Sequence, residues 1–152
     1  MDPRRIVCFA ADTPADPPHP SVADRGGPAG ITTMVAYLRT ANTGTIAQQI
    51  LARQRATLNT GIAGRGWTVA RWIEDVHQSG LTIDRPGLRQ ALTLLASGYV
   101  DALVCGDLVD LAGSGWHPAS AEVRRQLAAH MDAYGWHLIT LQTGQPAIVE
   151  LP

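Results

Sequence analysis

The feature that most constrains this chain is a regular alternation beginning at Ile31. "TMVAYLR" is a short run of apolar and β-branched residues, the pattern of a buried strand. In "TIAQQILARQRATLNTGIA", Ile46, Ile50, Leu51, Leu58 and Ile62 recur at helical spacing until Gly64 and Gly66 stop the helix. "WTVARWIED" is a second strand. "IDRPGLRQALTLLASG" is a helix, with Asp84 expected as N-cap, Pro86 in the first turn and Gly98 at the end. "DALVCG" is a third strand and "ASAEVRRQLAAHMDAYG" a helix ending at Gly135. "WHLITLQ" is a fourth strand, beside which "PAIVELP" could add another. Strands separated by helices of ten or more residues cannot pair as hairpins, which predicts an α/β fold. The expected architecture is a mostly parallel sheet of four to five strands with helices on both faces. In such sheets functional residues gather beyond the carboxyl ends of the strands. That directs attention to Arg39–Thr45, to the Gly106–Gly115 loop and to the approach to Asp84.

Before the alternation, residues 11–30 hold five of the ten prolines, with glycine, aspartate and alanine between them. Such a composition buries too little apolar surface to offset its ordering entropy and reads as a flexible linker. "RRIVCFA" reads either as a short strand docking on the sheet edge or as residues upstream of the true start, and the sequence does not choose. The chain therefore divides into an extension, residues 1–30, and a domain, residues 31–152. A net charge of -1 excludes a strongly basic nucleic-acid binder. All 12 basic residues are arginine, which a bias toward G+C-rich codons explains more simply than selection for phosphate-binding forks. Cys8 and Cys105 lie in apolar contexts and read as core residues of a reducing compartment. No apolar run reaches the roughly 18 residues needed to span a bilayer, so the expected location is cytoplasmic, with no membrane partner.

Most motifs here have plain readings. "GIAGRG" closes a helix and precedes a strand, the reverse of a phosphate-cradling loop. The five histidines show no ligand spacing, so neither a metal nor a cofactor is expected. Trp67, Trp72 and Trp136 are assigned to strands, as packing groups. No nucleophile elbow supports a serine hydrolase. What remains is a pair of arginines, Arg39 ending the first strand and Arg85 opening a helix. Each offers a planar fork suited to phosphate oxygens, or equally a salt bridge to Asp75 or Asp84.

Around these arginines the chain resembles the catalytic domain of the serine recombinases, the resolvase and invertase family. The resemblance covers roughly Thr33 to Thr143. It rests on "YLRT" (Tyr37 to Thr40), "LARQRATL" (Leu51 to Leu58), "GWTV" (Gly66 to Val69), "EDVHQSGLTIDRPGL" (Glu74 to Leu88) and "VDALVCGDLVDL" (Val100 to Leu111). It implies a resolvase-like fold and metal-free phosphoryl transfer on DNA. In that family a serine attacks the phosphodiester, arginines stabilise the charge on the phosphoryl oxygens, and subunits assemble on two DNA sites.

Residue by residue, the resemblance divides. Arg39, Gln54 and Arg85 match family positions and are the phosphate- or DNA-binding candidates. Ala41 stands at the nucleophile position. After the third strand the family reads Leu-Asp-Arg-Leu and then Ser-Arg or Gly-Arg. Here "LVDLAG" places Val109 at the aspartate, Asp110 at the first arginine and Gly113 at the second. Alanine has no oxygen to attack phosphorus, and an aspartate repels the phosphate an arginine would bind. Thr40 points to the other side of an extended strand, and Thr43 would still lack the arginines. The sequence ends at Pro152, where family members continue into a long helix and a DNA-binding domain, so autonomous DNA binding is expected to be weak. The leading expectation is a degenerate, non-enzymatic recombinase-like module for interaction or regulation, its partner another copy or an intact recombinase. Two alternatives stay open: a residual DNA- or phosphate-binding module using Arg39, Arg85 and Gln54, and a repurposed small-molecule enzyme drawing on Asp107, Asp110, Ser114 and His117.

Overall fold

A computed structural model describes residues 7–8, 30–115, 117–141 and 147–149, the first and last of these as strand backbone. Apart from Gly30, the proline-rich stretch read as a linker lies outside the described residues. The elements are β1 (Val7–Cys8), β2 (Thr33–Thr40), α1 (Gly44–Ile62), β3 (Thr68–Val76), α2 (Pro86–Ala96), β4 (Ala102–Cys105), α3 (Leu108–Ala112), α4 (Pro118–Tyr134), β5 (His137–Thr140) and β6 (Ala147–Val149). They form a six-stranded sheet in the order β1-β6-β5-β4-β2-β3.

The four strands β5-β4-β2-β3 are mutually parallel, as the helical crossovers require. Beyond β5 the sheet continues antiparallel through β6 and then β1, so it is wider than the four to five strands expected. At Val7–Cys8 the backbone takes the edge-docking reading of "RRIVCFA".

The period of two in β2 divides the core. Met34, Ala36 and Leu38 turn to one face, where they pack with Leu51 and Leu58 of α1 and with Ile139. Val35 and Tyr37 turn to the other, against Leu88 and Leu95 of α2, Leu111 of α3, and Leu127 and Met131 of α4. Both faces are therefore covered, and every residue of β4 and β5 is buried.

Three local expectations are corrected. Asp84 does not cap α2: Arg85 occupies the N-cap position and makes no side-chain cap bond. The carboxylate of Asp75, on β3, supplies the cap instead, accepting from Gly87 N at 2.7 Å and Leu88 N at 2.9 Å. The Gly106–Gly115 loop contains α3, started by Asp107, whose side chain accepts from Val109 N. Trp67 and Trp136 precede β3 and β5 by one residue, and Trp72 lies within β3 as assigned. No helix among the described residues is long and apolar enough to cross a membrane.

Candidate active site

Arg39 sits near the carboxyl end of β2, where two features fix it. Gln54 of α1 clips its backbone from both sides, accepting from Arg39 N at 3.1 Å and donating to Arg39 O at 2.8 Å. Its guanidinium reaches across to α3 and to the loop after β3. Nε donates to Asp110 O at 2.6 Å, one terminal nitrogen to Gln78 O at 2.8 Å and the other to Val109 O at 3.2 Å. Each arm of the fork thus holds a carbonyl. Burial pushes this guanidinium below its ordinary pKa, and nearby Arg85 acts in the same direction.

Arg85 lies deeper and is fully buried. It donates to Thr82 O at 2.7 Å, to the Tyr37 hydroxyl at 3.1 Å, to Asp110 O at 3.4 Å and to Leu111 O. The two arginines therefore meet at one carbonyl, that of Asp110. The Tyr37 hydroxyl also donates to Asp75 Oδ2 at 2.7 Å, which joins Arg85, Tyr37 and the cap of α2 into one network. Burial, with the neighbouring Asp75, raises the Tyr37 hydroxyl's pKa, while Arg85 opposes it, so Tyr37 stays protonated as a donor. The salt-bridge reading is corrected in detail: Arg85 reaches Asp75 through Tyr37, and Asp84 pairs with Arg89.

Above Arg39 lies a cleft of about 470 Å³, lined by Arg39, Ala41, His77–Leu81, Val109, Gly113, Ser114 and His117. Ala41 contributes a methyl group to this wall. Thr40 is buried, and its hydroxyl accepts from Asn42 N at 3.1 Å, away from the cleft. Thr43 is the N-cap residue of α1 and does not line it. Asp110 does not line the cleft either; a Cβ on Gly106 would lie 3.4 Å from its carboxylate. Burial raises that carboxylate's pKa; Arg39 opposes the shift and Asp107 adds to it.

Gly113 has φ +71°, and a Cβ there would lie 2.5 Å from Leu81 Cδ2. A Cβ on Gly80 would in turn meet Gly113 N at 2.9 Å and the Arg39 guanidinium at 3.1 Å. The two loops can close over Arg39 because both positions lack a side chain. Among the small-molecule candidates, Ser114 and His117 line the cleft; His117 also caps α4, its Nδ1 accepting from Ala119 N at 3.0 Å. Asp107 instead caps α3. No group of three His, Cys, Asp or Glu side chains suited to a metal occurs among the described residues.

Sequence reasoning gave no role to Tyr37 or His77, and to Asp75 only that of a possible salt-bridge partner. Tyr37 and Arg39 share a face of β2 through the strand's period of two, a signal available in "YLRT". Asp75 is the register partner of Arg39 on β3, which the sequence alone does not reveal. His77 lines the cleft at φ +59°, a left-handed conformation that no periodicity reports.

Residues 34–145 match the family model described as the resolvase N-terminal domain. Among solved structures, the chain is similar to the N-terminal catalytic domain of TP901-1 integrase at 17% identity and TM-score 0.62, over 72% of this chain and 78% of that one. It is also similar to a resolvase family site-specific recombinase from Streptococcus pneumoniae at 20% identity and TM-score 0.58, over 74% of each chain. The C-terminal catalytic domain of ISC1926 TnpA, an IS607-like serine recombinase, gives 20% identity and TM-score 0.58, over 72% and 70%. At these identities the likeness is one of fold. No curated protein matches the chain.

Proposed function

The chain belongs to the resolvase N-terminal domain family, a serine-recombinase fold, and on that premise we propose that it has lost the cleavage chemistry and works as a non-enzymatic interaction or regulatory module in DNA recombination. One observation carries the reading. The cleft wall offers the methyl group of Ala41 where the family's nucleophile would stand, and the Arg39 fork beside it is bonded to three carbonyls. A phosphoryl group developing charge there would find no attacking oxygen at position 41, an Arg85 buried among its own acceptors, and on Arg39 only the two N–H groups that hold no carbonyl. The Gly113 position adds support, because at φ +71° any side chain is strained and its Cβ would press on the tip of Leu81, so the arginine the family carries would fit only with a shift. The partner in this reading is a second copy or an intact recombinase.

The test is covalent capture. The protein is incubated with supercoiled recombination-site DNA and quenched in detergent, and protein–DNA adducts are resolved on a gel. No adduct is expected from the native chain or from Ala41→Ser, since one hydroxyl does not supply the family residues that Val109, Asp110 and Gly113 stand in for. An adduct from the native chain overturns the proposal.

The DNA-binding alternative has less support, since Arg39 and Arg85 already hold backbone carbonyls. It would show as salt-sensitive binding lost on Arg39→Ala. The small-molecule alternative draws on the cleft volume, which lies within the roughly 300–1,000 Å³ of ligand pockets, and on Ser114 and His117 in its wall. A thermal shift with a metabolite panel tests it.

A further inference from the structure

At the opposite end of the sheet, the amino ends of β4 and β5, lies a second pocket that the recombinase reading does not use. It measures about 140 Å³ and is lined by Leu95, Gly98, Val100, Asp101, the Tyr134–Gly135 turn, Trp136 and His137. Three features give it a consistent electrostatic sign. First, α2 and α4 both end at it, and neither has a basic residue in its last turn, so two negative helix ends face it without a counter-charge of their own. Second, Asp101 contributes a carboxylate. Its Oδ2 is held by Thr32 N at 3.2 Å, Thr32 Oγ1 at 3.1 Å and Thr33 N at 3.1 Å, which fixes the group at the pocket edge. Third, no arginine is among the described residues that line the pocket. Burial pushes His137 below its ordinary pKa, with Asp101 opposing, so His137 adds little positive charge at neutral pH.

The remaining wall combines Leu95 and Val100 with aromatic side chains that are held in place. Tyr134 is 54% exposed, although it closes a helix whose other apolar face is in the core. Its ring stands 4.6 Å from the His130 ring, and His130 Nδ1 accepts from Trp136 Nε1 at 2.8 Å. That bond ties the buried Trp136 to the helix carrying Tyr134. Aromatic faces attract cations, and a fixed carboxylate with two helix carboxyl ends adds to that attraction. The volume is well below the roughly 300 Å³ that drug-sized ligands occupy, which restricts the ligand to a compact group.

We propose that this pocket binds a compact organic cation, a guanidinium or ammonium head, between the Tyr134 ring and the Asp101 carboxylate. The cation is either a free small molecule or the tip of an arginine or lysine side chain on another protein. The site is independent of the cleft and does not rest on the loss of catalysis.

The experiment is a two-dimensional NMR titration of the whole chain with three probes: ethylguanidinium, the capped tripeptide Gly-Arg-Gly, and the same tripeptide with citrulline, the neutral isostere of arginine. Saturable shifts at Asp101, Tyr134, Trp136 and His137 are expected with the cations and not with citrulline. Tighter binding of the tripeptide supports the site and assigns the cation to a protein side chain; tighter binding of ethylguanidinium supports it and assigns a free ligand. Tyr134→Leu is expected to weaken binding about threefold, and Asp101→Asn, which keeps an oxygen for the Thr32 and Thr33 amides, about fivefold. An equal response to citrulline, no saturable shifts at these residues, or unchanged affinity in both folded variants overturns the proposal.

Discussion

Arg85 and Ala41 belong to one candidate site, but their surroundings differ. Arg85 is fully buried and holds Thr82, Tyr37, Asp110 and Leu111 together, while Tyr37 passes the network on to Asp75 and the cap of α2. Ala41 is exposed at the cleft and anchors nothing by its side chain. The same contrast runs through the other positions. Arg39 and Gln54, the candidates drawn from the family resemblance, both hold backbone: one ties α3 to the loop after β3, and the other ties α1 to β2. Val109 is 47% exposed, and Gly113 sits where a side chain would collide. Arg39, Gln54 and Arg85 hold the fold together through their side chains, whereas Ala41 and Val109 stand exposed and Gly113 serves by having no side chain. On the proposed reading, a domain could shed a reaction and keep its architecture by changing positions of the second kind.

The largest test of that contrast is Arg85→Met. Removing the buried guanidinium leaves several carbonyls and the Tyr37 hydroxyl without a donor, and a loss of about 3–5 kcal/mol in urea unfolding is expected. A loss under about 1 kcal/mol would mean that the network is not structural. Next comes Gly113→Arg, which replaces the missing side chain. With φ +71° and Leu81 in the way, it should lower stability by about 1–3 kcal/mol, and Leu81→Ala in the same chain should recover part of it.

Asp110 gives a pH signature between these extremes. Its carboxylate pKa is raised in the folded chain. The protonated form therefore favours folding: the contribution is complete below the ordinary aspartate value of about 3.9 and is lost as pH rises through the folded value. Asp110→Asn should be more stable than the native chain at pH 7, with the gap narrowing as the pH falls through the raised folded value and closed below about 3.9. A gap independent of pH in chemical denaturation would place the effect elsewhere than in the charge. The smallest effect is expected at Ala41→Ser, within about 0.5 kcal/mol of native, because an exposed side chain without partners contributes little. A larger change would show that position 41 is not structurally idle.

Much of the fold was legible from hydrophobic period alone. Met34, Ala36 and Leu38 against Val35 and Tyr37 already define a strand with two buried faces, and the glycines at 98 and 135 mark where helices stop. The antiparallel edge was less legible, because two- and three-residue strands carry almost no periodic signal. The N-cap of α2 was misplaced onto Asp84 for a physical reason. A neighbouring aspartate is the usual local solution, whereas here a carboxylate from β3, 12 residues earlier, arrives through the fold.

The sequence by itself determined the parallel α/β core, the two covered faces and the positions from which a site would be assembled, because local spacing governs each of these. It also placed Ala41, Val109, Asp110 and Gly113 where the proposed reading sets them against the family pattern. Only the tertiary structure decided what Arg39 and Arg85 do with their donors. Their partners lie far along the chain, 71 residues away for the Arg39–Asp110 bond and 26 for Arg85–Leu111. A guanidinium reads the same in a sequence whether it faces a phosphate or a carbonyl. Burial and packing choose between them by bringing carbonyls within reach and excluding the water that would otherwise solvate the charge.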